Sequence, residues 1–182
     1  MATEGIIPFD VAVGFGSVWI ADFGRVLRVS PETGATVASV PGDFGAFAVG
    51  EGSVWLGPGY TTGLLRIDPR TNEVEVAADR VPEAIFTRVA VGERAVWALD
   101  PFEDRVWRIE PGASRITDSF GTGRLPKGMA VGEGAVWVAN SRDGTVTRYD
   151  PKTADVQTIV VGGTPAAIAV GAGSVWVTTD AR

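Results

Sequence analysis

Hydrophobic residues in this chain fall in short runs, interrupted every few positions by glycine, proline or an acidic residue, and nowhere do they recur at the spacing of a helix face. Runs such as Val136-Trp137-Val138 and Ile168-Ala169-Val170 are apolar at successive positions, so both faces of the strands they predict must be covered. A sheet sandwiched between two other sheets meets that requirement. The pattern predicts an all-β chain whose sheets stack face to face.

One phrase punctuates these runs. Ala12-Val13-Gly14-Phe15-Gly16-Ser17-Val18-Trp19 returns at 48–55, 90–97, 130–137 and 169–176, and its copies hold five of the six tryptophans. The first glycines of the copies, Gly14, Gly50, Gly92, Gly132 and Gly171, stand roughly forty residues apart, a period found in propellers and solenoids. Between successive copies lies a second phrase: Arg28-Val29-Ser30-Pro31, Arg66-Ile67-Asp68-Pro69, Arg108-Ile109-Glu110-Pro111 and Arg148-Tyr149-Asp150-Pro151. Proline after Ser, Asp or Glu presets a turn, because its fixed φ suits the second turn position and the preceding oxygen can accept from backbone N–H groups beyond. Each unit therefore reads as four strands, which in the fourth unit are 128–131, 135–139, 145–149 and 156–161. The Gly-x-Gly of 132–134 and its copies let strands one and two join in a tight hairpin by tolerating positive φ. Glu93-Arg94 departs from that pattern, and Arg94 is expected to strain or widen its turn. These glycines lead from strand to strand, without the helix N-terminus that a dinucleotide loop needs.

Radial repetition of four-stranded sheets is a β-propeller. Its complete blades are expected at about 8–41, 43–80, 85–121 and 126–162, with strands one and two of a fifth blade at 165–180. The phrase Ala-Val-Gly-x-Gly-Ser/Ala-Val-Trp, followed by Gly-x-Val-x-Arg-Ile-Asp-Pro-x-Thr, resembles the repeats of YVTN-type and NHL-type propellers, virginiamycin B lyase-like proteins among them, over essentially the whole chain. WD40 repeats match less well, since no Gly-His or Trp-Asp pair stands where they need one. Two strands are wanting from the fifth blade, and residues 2–7 offer at most one. Three arrangements are open: part of a larger propeller, a ring completed by another copy, or an open arc. An unpaired edge strand templates association, so an isolated chain is expected to associate through its two ends.

Composition narrows the partners. With 182 residues and 45% hydrophobic content the chain can bury a core, and its glycines and prolines recur as turn punctuation rather than as tracts. A net charge of −6, with the 16 basic residues scattered, argues against nucleic acid and anionic membrane surfaces. Cysteine is absent, which removes disulfides, thiolate zinc sites and cysteine nucleophiles. With neither a signal-peptide pattern nor a run of about 18 apolar residues, the chain reads as soluble, its compartment undetermined.

Candidate chemistry lies where loops vary inside the repeating scaffold. The position three after each repeat tryptophan reads Asp22, Pro58, Asp100, Asn140 and Thr179, oxygens that could bind a cation or polar ligand or simply cap a turn, the commoner use. The start of each strand one reads Asp10, Ala46, Arg88, Gly128 and Ala167, and the charges of Asp10 and Arg88 either face the channel as a polar anchor or neutralise each other. Tyr60, Phe102, Arg124, Lys127 and Arg142 add aromatic and cationic groups to the same rim, unless they are ordinary solvated loop residues. The repeated Arg28, Arg66, Arg108 and Arg148 read as structural, each pairing with a local partner such as the nearby turn acid. The five repeat tryptophans read as core, and Trp107 as a surface aromatic.

The resemblance implies, for lyase-like enzymes, a histidine base and acid-held magnesium. This sequence has no histidine. Asp10 or Asp100 could act as a base in principle, but nothing in the sequence marks either one. The leading reading is a non-catalytic propeller scaffold or binding module. It would recognise a protein or small ligand at its loop face, with another copy or the remainder of a longer propeller as its structural partner and no cofactor or metal. The alternative is a piece of a virginiamycin B lyase-like enzyme whose catalytic blades lie outside this sequence.

Overall fold

The repeated tryptophan and the repeated glycine are bonded to each other. In the computed structural model, which describes residues 7–22, 24–42, 44–58, 63–78, 84–112 and 115–180, the Trp19 indole N–H donates to the Gly14 carbonyl at 3.1 Å. Trp55, Trp97 and Trp137 donate likewise to Gly50, Gly92 and Gly132 at 2.8, 3.1 and 3.0 Å. A buried indole needs an acceptor, and the hairpin supplies one five residues upstream.

The strands follow the phrases. β1 (Pro8–Gly14), β2 (Ser17–Asp22), β3 (Arg25–Val29) and β4 (Thr36–Pro41) form the first sheet in chain order, all antiparallel. β5 (Phe44–Gly50), β6 (Ser53–Pro58), β7 (Leu64–Ile67) and β8 (Val74–Ala78) form the second, and β9 (Arg88–Gly92), β10 (Ala95–Asp100), β11 (Arg105–Glu110) and β12 (Arg115–Gly121) the third. β13 (Pro126–Gly132), β14 (Ala135–Asn140), β15 (Thr145–Tyr149) and β16 (Val156–Val160) form the fourth, while β17 (Thr164–Gly171) and β18 (Ser174–Asp180) pair alone. Among the described residues there is no helix, so none long and apolar enough to cross a membrane.

The turn residues behave as their chemistry requires. Glu133 and Gly134 both take positive φ, 52° and 73°, the mirror-image turn whose twist matches a hairpin. Glu93 and Arg94 adopt the same turn, at 51° and 59°, and Gly92 pairs with Ala95 in the register of Gly132 with Ala135. The turn is therefore strained at Arg94 and not widened. At the Ser/Asp-Pro corners Asp68 N–H donates to the Glu73 carbonyl and Asn72 N–H to Asp68, a pair repeated by Asp150 with Asp155 and Ala154 and by Ser30 with Ala35 and Gly34. Asp68 Oδ1 accepts from Arg70 N–H at 2.7 Å and Asp150 Oδ1 from Lys152 N–H at 2.9 Å, as expected of an acid before proline.

The sheets fan outward from their first strands. β1, β5, β9, β13 and β17 touch in succession, whereas contacts among the outermost strands are sparse. Each gap between complete sheets is filled by one apolar cluster: Trp19, Val26 and Phe47 in the first, Trp55, Leu64 and Val96 in the second, Trp97, Val106 and Val138 in the third. The repeat tryptophan of each blade thus faces the next blade. Trp19, Trp55 and Trp97 are fully buried, but Trp137 is half-buried and Trp176 is 69% exposed, so the expectation of five core tryptophans fails at the open end of the arc. Trp107 corrects the opposite way: it packs against the second cluster with its indole nitrogen buried.

The repeated arginines tie blades together as well as serving their own. Arg28 donates to the carbonyl of Pro69 and Arg66 to that of Pro111, each in the following blade. Arg148 pairs with its turn acid Asp150 at 3.4 Å, as expected, but Arg66 pairs with Glu75 of β8 at 2.8 Å and Arg28 bonds Ser17, so the four do not share one kind of local partner. Arg28, Arg108 and Arg148 lie over the rings of Trp19, Trp97 and Trp137 at 5.3 to 5.6 Å, a cation–π contact along each sheet face.

Candidate functional site

The inner rim is shaped by a recurring irregularity at the start of the first strands. Pairing skips one residue between Pro8 and Asp10, between Phe44 and Ala46, and between Pro126 and Gly128, leaving Phe9, Gly45 and Lys127 as bulged positions. A bulge re-aims its side chain out of the sheet's alternation. Phe9, Asp10, Gly45, Ala46, Phe47, Arg88 and Val89 line a recess of about 300 Å³. Arg88 also lines a neighbouring recess of about 470 Å³ with Thr87, Pro101, Leu125, Pro126, Lys127, Ala166 and Ala167.

Within these recesses the charges are not spent on each other. Asp10 Oδ1 accepts from the adjacent Val11 N–H at 2.8 Å, and Arg88 Nη1 donates to the adjacent Thr87 carbonyl at 2.8 Å. Asp10, Arg88 and Lys127 are all exposed. The wall beside them is fixed: Asp104 Oδ1 accepts from Leu125 N–H at 3.0 Å and Asp143 Oδ2 from Arg124 N–H at 2.8 Å, and Leu125 is held at a φ of 52°. Strain at a non-glycine residue persists where its surroundings impose it.

The second ring of oxygens lies deeper. Asp22, Asp100 and Asn140 are 3%, 1% and 0% exposed. Asp22 accepts from Ile7 N–H and from Arg25 Nε, and Asp100 Oδ1 accepts from the N–H groups of Phe102 and Glu103, closing its turn. Asn140 donates to Thr145 and Thr147 hydroxyls at 3.0 and 2.9 Å. Asp100 Oδ2 and Asn140 Oδ1 are buried and have no hydrogen-bond partner among the described residues. Phe102 projects into solvent, Arg142 N–H bonds the Arg124 carbonyl, and Tyr60 lies outside the described residues. Among the described residues no three His, Cys, Asp or Glu side chains cluster so as to hold a metal ion together.

Of the residues singled out in the sequence, the structure brings Asp10, Arg88 and Lys127 to the two adjoining recesses and keeps Asp22, Asp100 and Asn140 buried. Phe9 escaped notice. Its signal was available, because aligning Asp10 with Gly128 puts Phe9 and Lys127 in one column of the repeat.

Four four-stranded sheets and a two-stranded one, fanned about their first strands, define a β-propeller architecture. No family model and no curated protein matches the sequence. Solved structures do match the fold. The virginiamycin B lyase of Staphylococcus aureus, in a catalytically inactive histidine-to-alanine form with quinupristin, superposes with a TM-score of 0.82 at 16% identity, over 98% of this chain and 65% of that one. A streptogramin B lyase gives 0.80 at 16% identity, covering 97% and 63%. The WD40 domain of Neurospora crassa Pan2 gives 0.73 at 13% identity, covering 88% and 54%. The chain thus spans just under two thirds of the lyases' length, and the likeness is one of fold.

Proposed function

We propose that this chain is a non-catalytic propeller module that binds a small anionic or zwitterionic ligand, or a protein segment bearing such a group, at the inner rim. The carrying observation is the pairing of Arg88 and Asp10 across one recess without an ion pair between them. A guanidinium whose donors are mostly free offers bidentate geometry to a carboxylate or phosphate, and Lys127 adds a second cation in the adjoining recess. Asp10 is placed to accept from an ammonium or hydroxyl on the same ligand, and Phe9 and Phe47 supply an apolar wall. Few, convergent polar groups in a mostly pre-formed recess are the ordinary make-up of a small-ligand site.

A second reading has its own support in the extent of the likeness to the two lyases. In it the sequence is the part of a lyase-like enzyme that lacks the catalytic blades. The staphylococcal enzyme's inactive form carries alanine in place of a histidine, and this sequence has no histidine to offer. Ligand-observed NMR against a panel of small carboxylates, phosphates and amino acids, with quinupristin as one further member, separates the readings. The module reading expects binding of carboxylates or phosphates that Arg88→Ala removes, and none of quinupristin. Quinupristin bound in place of the small anions, or panel binding indifferent to Arg88, contradicts it.

A further inference from the structure

Each blade-to-blade joint in this arc uses the same pair of residues. The valine of one strand one sits over the glycine that ends the preceding strand one: Val49 over Gly14, Val91 over Gly50, Val131 over Gly92 and Val170 over Gly132. Valine methyl groups lie 2.6, 2.8 and 3.0 Å from where a Cβ on Gly50, Gly92 and Gly132 would stand, so only glycine leaves room for them. Outside each glycine the repeat tryptophan covers the next blade's strand-two residues, as Trp19 does with Val54 and Leu56.

Both halves of that joint are present, unmet, at the two ends of the arc. Val13 is the valine of β1 and is 75% exposed, beside exposed Val11. A recess of about 430 Å³ opens there, lined by Pro8, Phe9, Asp10, Val11 and Ile20. At the other end the space that a Cβ on Gly171 would occupy is open, and Trp176 lies exposed without the bond to Gly171 that its counterparts make to their glycines.

We propose that a second copy of this chain docks head to tail, Val13 of one copy seating over Gly171 of the other and Trp176 covering Val11 and Ile20. The occupant is argued from complementarity, since the two faces are the two sides of a joint the chain itself makes four times. The contact is heterologous: two such joints close a pair, and a rotation that does not close grows into longer assemblies. β17 and β18 carry the glycine and the tryptophan of the joint, whereas the outer-strand residues that complete the other clusters, such as Val26 and Val40, have no counterpart beside β18 among the described residues. This proposal stands apart from ligand binding at the rim and survives the failure of that reading.

Light scattering coupled to size exclusion tests it on the full chain. Val13→Asp changes an exposed side chain, and Gly171→Leu projects into open space, so both should fold, with circular dichroism and melting as controls. Trp176→Arg is a second variant of the same face. The expected results are association of the wild type, its loss in each single variant, and recovery of a 1:1 dimer on mixing Val13→Asp with Gly171→Leu, because that pair holds one intact joint. A wild type that remains monomeric, variants that associate as the wild type does, or a mixture that stays monomeric overturns the proposal.

Discussion

Val91 of β9 fills the space that a side chain on Gly50 of β5 would need, its Cγ2 standing 2.6 Å from the position of that absent Cβ. The glycines at the ends of the first strands are therefore packing residues as much as turn residues. Gly14→Ala, at a site with Val49 against it and a φ open to any residue, should destabilise by about 1–3 kcal/mol through overpacking. Gly171→Ala, where nothing approaches, should stay within about 0.5 kcal/mol. Urea unfolding of the two variants checks the contrast.

The tryptophans carry the same asymmetry. Trp97→Ala opens a cavity among Leu99, Val106 and Val138 and should cost about 3–5 kcal/mol. Trp176→Ala, at an exposed ring, should change the stability of the isolated arc by about 0.5 kcal/mol or less. Thermal melts at a concentration where the chain is monomeric make the comparison.

These contrasts show what the sequence could and could not reveal. A glycine and a tryptophan five residues apart, repeated five times, encode the hairpin, its indole bond and the blade interface together, so the all-β fold and its period were legible before any coordinates. The repeat cannot say which copy lacks a neighbour, and Trp176 looks identical to Trp97 on paper. The candidate site was legible where a charge interrupts a column of small residues, as at Asp10 and Arg88. It was not legible at Asp100, because an acid that closes a turn and an acid that faces a ligand obey the same local pattern, nor at Asp22, whose partners Ile7 N–H and Arg25 no repeat position announces.

Arg94 occupies a position that glycine fills in the other hairpins, with φ at 59°. A side chain in that left-handed region costs about 1 kcal/mol. Arg94→Gly should therefore raise the unfolding midpoint in urea without altering the slope of the transition, which would otherwise report a change in the surface exposed.

Tyr149 stacks on Phe120 at 4.1 Å between ring centres, and its hydroxyl donates to Asp118 Oδ2 at 2.9 Å. Burial first, and then the bond to Asp118, pushes its pKa up to about 12. In the unfolded chain the proton leaves near 10, so the stabilisation is whole below about pH 10 and is lost as pH rises through the folded value. Tyr149→Phe has no such proton to lose. Melting points measured across the alkaline range should show the wild type falling more steeply than the variant.

If, as proposed, the rim around Arg88 and Asp10 receives a ligand, both residues must respond to it. The most direct measurement is a two-dimensional ¹H–¹⁵N NMR titration of the full chain with the small carboxylates and phosphates, following the Arg88 Nε–H and the backbone amides of Asp10, Ala46 and Val89. Those resonances should shift together along one saturating curve, and the curve should vanish in Arg88→Ala while the remaining spectrum is unchanged. Shifts confined to residues remote from both recesses, or saturation that survives Arg88→Ala, would contradict it.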